Sequence, residues 1–176
     1  MALKNWCKII ALSFILIANL SSQQNQVLCI NHEFQQEVTS YLSFDVPIIS
    51  ISEAYEKKAT YTFLDAREKS EYDISHIADA VYVGFDDFNI KSVAHLDKSE
   101  SLIIYCSIGY RSEKIGEKLK NAGFQNVQNL FGSIFEWVNQ HHPIYDSENK
   151  KTNTIHTYNK NWSKWVQSNE IEKVWE

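Results

Sequence analysis

Cys106 has the most chemistry within reach. It follows the apolar run Ser101–Tyr105 (SLIIY) and precedes Ser107, Ile108, Gly109 and Tyr110, after which Arg111 opens an amphipathic stretch. A sulfur at such a strand-to-helix turn meets three influences of one sign. The helix N-terminus offers unpaired backbone N–H groups and a partial positive charge. A tight loop holding Gly109 can curl so that successive amides point inward as an anion nest. Arg111 adds a permanent cation with a planar donor fork. All three favour thiolate over thiol, so the Cys106 pKa is expected below its ordinary value. The same cradle binds anions. A nucleophilic sulfur beside an anion site is the minimum for covalent catalysis on an anionic substrate. Without the loop and the arginine, one cysteine after a strand reads as an inert buried residue.

The remaining candidates point to support rather than chemistry. Asp65 and Arg67 read as an internal ion pair or a brace for the loop, and His76 as a hydrogen-bonded structural histidine. His141-His142-Pro143 could suggest a metal, but no cysteine or carboxylate cluster accompanies it, and no metal is expected.

The elements that must position Cys106 alternate. Polar residues with spaced apolar ones over 31–42 predict a helix. Val46–Ile49 reads as a strand, and Ser50-x-x-Glu53 as a capping box opening a short helix. Tyr61–Leu64, ending at Asp65, reads as a strand; Glu68–Asp73 as a helical turn; Ala80–Val83 as a short strand; and 86–95 as a loose helix. Ser101–Tyr105 is apolar on both faces, as in a central strand of a covered parallel sheet. Arg111–Ala122 follows as a helix with Ile115, Leu119 and Ala122 in one stripe, closed by Gly123 with Phe124 after it. Val127–Leu130 predicts a strand, and Ser133-x-x-Glu136 a second capping box with Ile134, Trp137 and Val138 behind it. This alternation predicts an α/β fold of βαβ units with right-handed crossovers. After Pro143 the pattern weakens, 147–157 reads as a linker, and the tryptophan-rich stretch 161–176 reads as a terminal helix packing Trp162, Trp165 and Trp175 on the domain. A surface for a dimer or partner is the sharper alternative for that tail.

Composition narrows the function. The 176 residues carry 17 basic and 22 acidic side chains, a formal charge of −5, with 44% hydrophobic residues. That length suits one domain with extensions. A general nucleic-acid binder should be basic, and this chain is acidic. Three cysteines are too few for a disulfide framework or a zinc cluster. At the N-terminus, Lys4 and Lys8 precede the apolar run 9–20, followed by Ser21 and Ser22. This is the pattern of a secretory signal, shorter than the ~20 residues that span a bilayer. Residues 1–22 are expected to be a cleaved export signal or, alternatively, a retained N-terminal anchor. Loss of Lys4 and Lys8 takes the formal charge from −5 to −7. The protein is therefore expected to be exported, periplasmic or secreted, with no membrane contact beyond such an anchor. Asn161-Trp162-Ser163 is a glycosylation pattern that matters in a eukaryotic secretory pathway.

Cys106-Ser-Ile-Gly-Tyr-Arg111-Ser112 resembles the active-site loop of the rhodanese-like sulfurtransferases, Cys-x-x-Gly-x-Arg-Ser. Four further segments fall in register with that family. They are Phe63-Leu-Asp65-Ala-Arg67-Glu68-x-x-Glu71-Tyr72, Ser75-His76-Ile77-x-x-Ala80, Ala122-Gly123-Phe124-x-Asn126-Val127 and Leu130-x-Gly132-x-Ile134-x-x-Trp137. The resemblance implies a domain over 45–142, with a helical extension over 23–44, a C-terminal extension over 143–176, and a parallel sheet of about five strands flanked by helices on both faces. It also implies a persulfide mechanism. The Cys106 thiolate would take the outer sulfur of a small anionic donor such as thiosulfate and pass it to a thiol, on a small molecule or a protein, or to cyanide. The loop from Ser107 through Ile108, Gly109 and Tyr110 to Arg111 would bind the substrate and hold the persulfide anion. Arg111 would hold the donor or anchor the loop. No metal or organic cofactor is implied.

Four residues separate Cys106 from Arg111. Rhodanese-like phosphatases and arsenate reductases have one more, because a tetrahedral oxyanion needs a wider cradle, so the short form favours sulfur transfer over those activities. A non-catalytic partner-binding module is the other alternative. Ser75, Ala78, Asp79, Phe131 and Ser133 depart from the family's usual residues. Those departures bear on surface loops and substrate identity more than on the cradle. Ile108 and Tyr110 predict a largely apolar rim, suited to a thiol-bearing partner. Cys29 could resolve a Cys106 persulfide as a disulfide.

Overall fold

Strand propensity and burial converge first on residues 101–105. The structure is a computed structural model that describes residues 27–176. Its central sheet holds β1 (Ile48–Ile49), β2 (Thr62–Asp65), β3 (Val81–Tyr82), β4 (Ser101–Tyr105) and β5 (Asn126–Leu130). The order is β1-β5-β4-β2-β3, and every pairing is parallel. β4 sits in the middle, hydrogen-bonded to β2 and β5, and its apolar residues serve two cores. Leu102 and Ile104 join Val46, Ile115, Leu119, Phe124 and Val127 on one face. Ile103 and Tyr105 join Phe34, Val38, Phe135 and Trp137 on the other. A strand covered on both faces must be apolar throughout, which is the SLIIY pattern.

Helices cover both faces, as expected. The helices are α1 (His32–Tyr41), α2 (Ile51–Glu56), α3 (Lys69–Ile74), α4 (Tyr110–Asn121) and α5 (Ser133–Asn139). Asn31 caps α1 by accepting the Phe34 amide at 3.0 Å, and Phe34 and Val38, one turn apart, are its buried side. Ser50 caps α2 by accepting the Glu53 amide. α4 lays Ile115 and Leu119 on the sheet and stops at Gly123, where φ is +92° and the Phe124 amide reaches back to the Leu119 carbonyl. The stretch 86–95 forms a 3₁₀ turn at Ile90–Val93 rather than a loose helix.

Three further expectations are corrected. The tail is not a terminal helix. It contains the 3₁₀ turn Trp162–Trp165 and the strand β9 (Glu172–Val174), which pairs in parallel with β8 (Thr154–His156). β6 (Ile144–Tyr145) and β7 (Lys151–Thr152) make a separate antiparallel ribbon across the predicted linker. Long-range pairing and one buried amide override the helical spacing: Asn139 on α5 donates to the Trp165 carbonyl at 2.8 Å and accepts the Gln167 amide at 2.7 Å. Trp165 still packs on the domain, with its ring 5.4 Å from that of Phe34. Nor does Ser133 act as an N-cap. It is the first residue of α5, at φ +50°, behind Gly132 at φ +73°. Its hydroxyl faces the Cys106 loop instead.

The expected export signal lies outside the described residues. Among the described ones, no helix is long and apolar enough to cross a membrane.

Candidate active site

Cys106 directly follows β4, and the chain turns through residues 107–109 into α4. Gly109 takes φ +127°, a conformation that side-chain-bearing residues rarely adopt. That turn brings the Gly109 amide 3.1 Å from the Cys106 sulfur. The loop carbonyls face other partners. Ile134 and Phe135, in the first turn of α5, donate to the carbonyls of Cys106 and Ser107 at 3.2 and 3.3 Å. Asn129 of β5 donates to the Gly109 carbonyl at 2.9 Å. The Cys106 amide is tied to the Ser133 hydroxyl at 3.1 Å. With its acceptors fixed on β5 and α5, the loop holds its shape before any substrate arrives.

Cys106 is buried, with 1% of the residue exposed. Burial pushes its pKa up. The Arg111 charge, the Ser112 amide and hydroxyl and the Gly109 amide outweigh that effect, and the net shift is downward.

Arg111 anchors the loop. Its fork grips Glu71 of α3 with contacts of 2.6 and 2.9 Å and donates to the Ser107 hydroxyl at 2.9 Å. That hydroxyl in turn faces Glu71 at 3.2 Å. Glu68 stands 3.9 Å from the same guanidinium. Glu71 is buried, which raises its pKa, but the hydrogen bonds and charge of Arg111 hold it below the ordinary carboxylate value. The guanidinium also lies 5.3 Å from the centre of the Tyr158 ring.

Asp65 and Arg67 form a fully buried pair at 2.7 Å. Between them the Ala66 amide donates to the Tyr105 carbonyl at 2.9 Å, so the pair braces the end of β4 from the side. Arg67 also donates to the Ser75 carbonyl. His76 exchanges backbone hydrogen bonds with Tyr145, places Nδ1 3.0 Å from the Tyr72 carbonyl oxygen and stacks on Tyr72. Neither Asp65, Arg67 nor His76 lines the space over the sulfur.

That space is a cavity of about 500 Å3. Cys106, Ser107, Ile108, Tyr110 and Arg111 line it, joined by Glu68, Phe85 and Asp86, and by Tyr41, Tyr158 and Trp162. The structure thus gathers the predicted loop residues and adds a wall that sequence reasoning missed. Glu71 was missed as the partner of Arg111, although it stands in the segment that resembles the family and is the helix's buried acid. The wall residues from α1 and the tail carried no local signal.

Cys29 is buried against Gly132 and Glu136. Burial first, then the Glu136 carboxylate, push its pKa well up. A thiol held protonated is a poor resolving nucleophile, which argues against the resolving role. Among the described residues no cluster of three metal-ligating side chains occurs. His142 stacks on Tyr55 at 3.8 Å.

A family model described as the rhodanese-like domain matches residues 50–140. The chain is 32% identical over 101 residues to the thiosulfate sulfurtransferase GlpE of Coxiella burnetii, covering 56% of this chain and 92% of that protein. It is 36% identical over 90 residues to the tRNA uridine(34) hydroxylase of Onion yellows phytoplasma, covering 48% of this chain and 29% of that one. In fold it is similar to the rhodanese-like domain of the Anabaena Alr3790 protein, with a TM-score of 0.51, 24% identity, and coverage of 58% of this chain and 77% of that one. The matched span runs from the cap of α2 to the end of α5 and contains the whole Cys106 loop, so the chain belongs to the rhodanese-like domain family.

Proposed function

We propose that the protein is a sulfurtransferase carrying a sulfane sulfur on Cys106. The Cys106 thiolate attacks the outer sulfur of a donor such as thiosulfate. A new S–S bond forms, the donor's S–S bond breaks, and sulfite leaves with the electron pair. An acceptor thiolate, or cyanide, then attacks the outer sulfur of the persulfide and releases Cys106 as thiolate. Oxidation levels balance across the two steps, and no cofactor takes part.

The single supporting observation is the 3.1 Å contact from the Gly109 amide to the Cys106 sulfur, at a buried residue that lines the cavity. A main-chain donor aimed at sulfur stabilises the negative charge of thiolate and persulfide alike. A phosphatase or arsenate reductase would need the Arg111 fork turned to an oxyanion, and Glu71 occupies that fork. The partner-binding reading loses support because Trp165 and Trp162 pack on this chain's own Phe34 and Tyr41. Export through the N-terminal segment is part of the proposal, and intact-mass analysis of protein from its native compartment reports cleavage near Ser22.

Incubation with thiosulfate should add the mass of one sulfur atom, and Cys106→Ser should abolish the gain. Absence of an adduct with thiosulfate and with polysulfide overturns the proposal.

A further inference from the structure

The cavity over Cys106 is larger than a small sulfur anion requires. Three of its aromatic walls come from outside the matched span 50–140: Tyr41 at the end of α1, and Tyr158 and Trp162 between β8 and β9. Tyr41 is packed on two neighbouring rings before any ligand arrives, and Tyr158 lies against Arg111 instead. Tyr41 lies edge-on to Trp162 at 5.6 Å and to Tyr110 at 6.5 Å. A volume of about 500 Å3 fits an organic molecule of ordinary ligand size.

The outer lining of this space differs in charge from the amide loop at the sulfur, because two carboxylates stand there. Arg111 is the cation at the sulfur, and Glu71 holds it in a two-point contact. Glu71 does not itself line the cavity, but Glu68, 3.9 Å from the same guanidinium, and the exposed Asp86 do. Three carboxylates therefore answer one guanidinium, before the Cys106 thiolate is counted. At this mouth an ammonium group on the acceptor is attracted by Glu68, Asp86 and the ring faces, and a carboxylate in the same place is disfavoured relative to it.

We infer that the acceptor for which this site is built is an organic thiol, aromatic or apolar next to its sulfur and cationic beyond it. The inference rests on the sulfur-carrying reading of Cys106 and names its substrate class. In the transfer step the acceptor thiolate attacks the outer sulfur of the Cys106 persulfide. The acceptor's S–S bond forms, the Cys106 S–S bond breaks, Cys106 leaves as thiolate, and the acceptor's proton passes to water. The aromatic rings hold the apolar body while Glu68 and Asp86 hold the cation.

The test uses the full-length protein, loaded with thiosulfate or with polysulfide and checked by intact mass. The loaded protein is mixed with benzyl thiol, its para-aminomethyl derivative and its para-carboxy derivative. Single-turnover discharge is followed by mass, with rates expressed per thiolate. The cationic thiol should outpace the anionic one on the order of tenfold, with the neutral one between, and the ratio should shrink in about 1 M salt. Asp86→Asn, at an exposed position that does not threaten folding, should reduce the ratio severalfold. Trp162→Ala should slow benzyl thiol relative to mercaptoethanol. Equal rates for the three thiols, or a ratio untouched by Asp86→Asn, overturn the acceptor class while leaving sulfur carriage intact. Failure to load with either donor overturns sulfur carriage and the acceptor class together.

Discussion

At position 106 two large effects oppose each other on one atom. Burial favours the neutral thiol; Arg111 and the amides of Gly109 and Ser112 favour the thiolate and prevail. The rate of alkylation of Cys106 by iodoacetamide should therefore inflect below the ordinary thiol value of about 8.5. Arg111→Ala should move that inflection up by about 1–3 pH units. The same substitution strands Glu71 as an unpaired buried charge, at a cost of about 3–5 kcal/mol in a denaturant titration. The sign for both groups is the same. A pKa depressed by folding contributes stability above its unfolded value, and that contribution is lost as pH falls through the folded value. The wild type should thus lose stability toward acid in a step that Arg111→Ala lacks. An unshifted inflection in Arg111→Ala would mean that the amides alone hold the thiolate.

Among the elements, α4 both presents the loop amides and seals one core, so its fit against Val46 matters. A Cβ added at Gly116 would stand 2.9 and 3.1 Å from the two Val46 methyl carbons, and Val46 is fully buried. Gly116→Ala gains about 1 kcal/mol of helix propensity but overpacks at about 1–3 kcal/mol. The net effect should be a lower melting temperature, recovered in part by Val46→Ala in the same chain. Elements of this kind were legible in the sequence wherever their cause is local. Ser101–Tyr105 was read to the residue because burial on both faces writes itself as an apolar run, and α4 was read to its glycine stop. Ser133-x-x-Glu136 misled because the local capping pattern was overruled from 27 residues away, where the Cys106 amide claims the hydroxyl. Glu71 meets Arg111 across 40 positions, and no spacing in the sequence announces that pairing. Trp162, Trp165 and Val166 have helical spacing, yet the segment closes after one 3₁₀ turn because β9 must reach β8.

On the scale of the whole molecule, parts outside the matched span build much of the wall of the cavity, and the Asn139 side chain helps fasten one of them. Asn139→Ala removes both hydrogen bonds to the tail and leaves the Trp165 carbonyl and the Gln167 amide without that partner. It should lower stability by about 1–3 kcal/mol and open the chain after Thr157 to limited proteolysis. Unchanged protection of the tail would show that Trp165 packing alone holds it. The depth of the sulfur beneath this wall has a consequence for sulfur traffic. On the proposed sulfur-carrying reading, any donor or acceptor must reach Cys106, itself 1% exposed, through this mouth. A slender thiol should then collect the cargo faster than a bulky one, so that shape rather than bond strength decides the recipient.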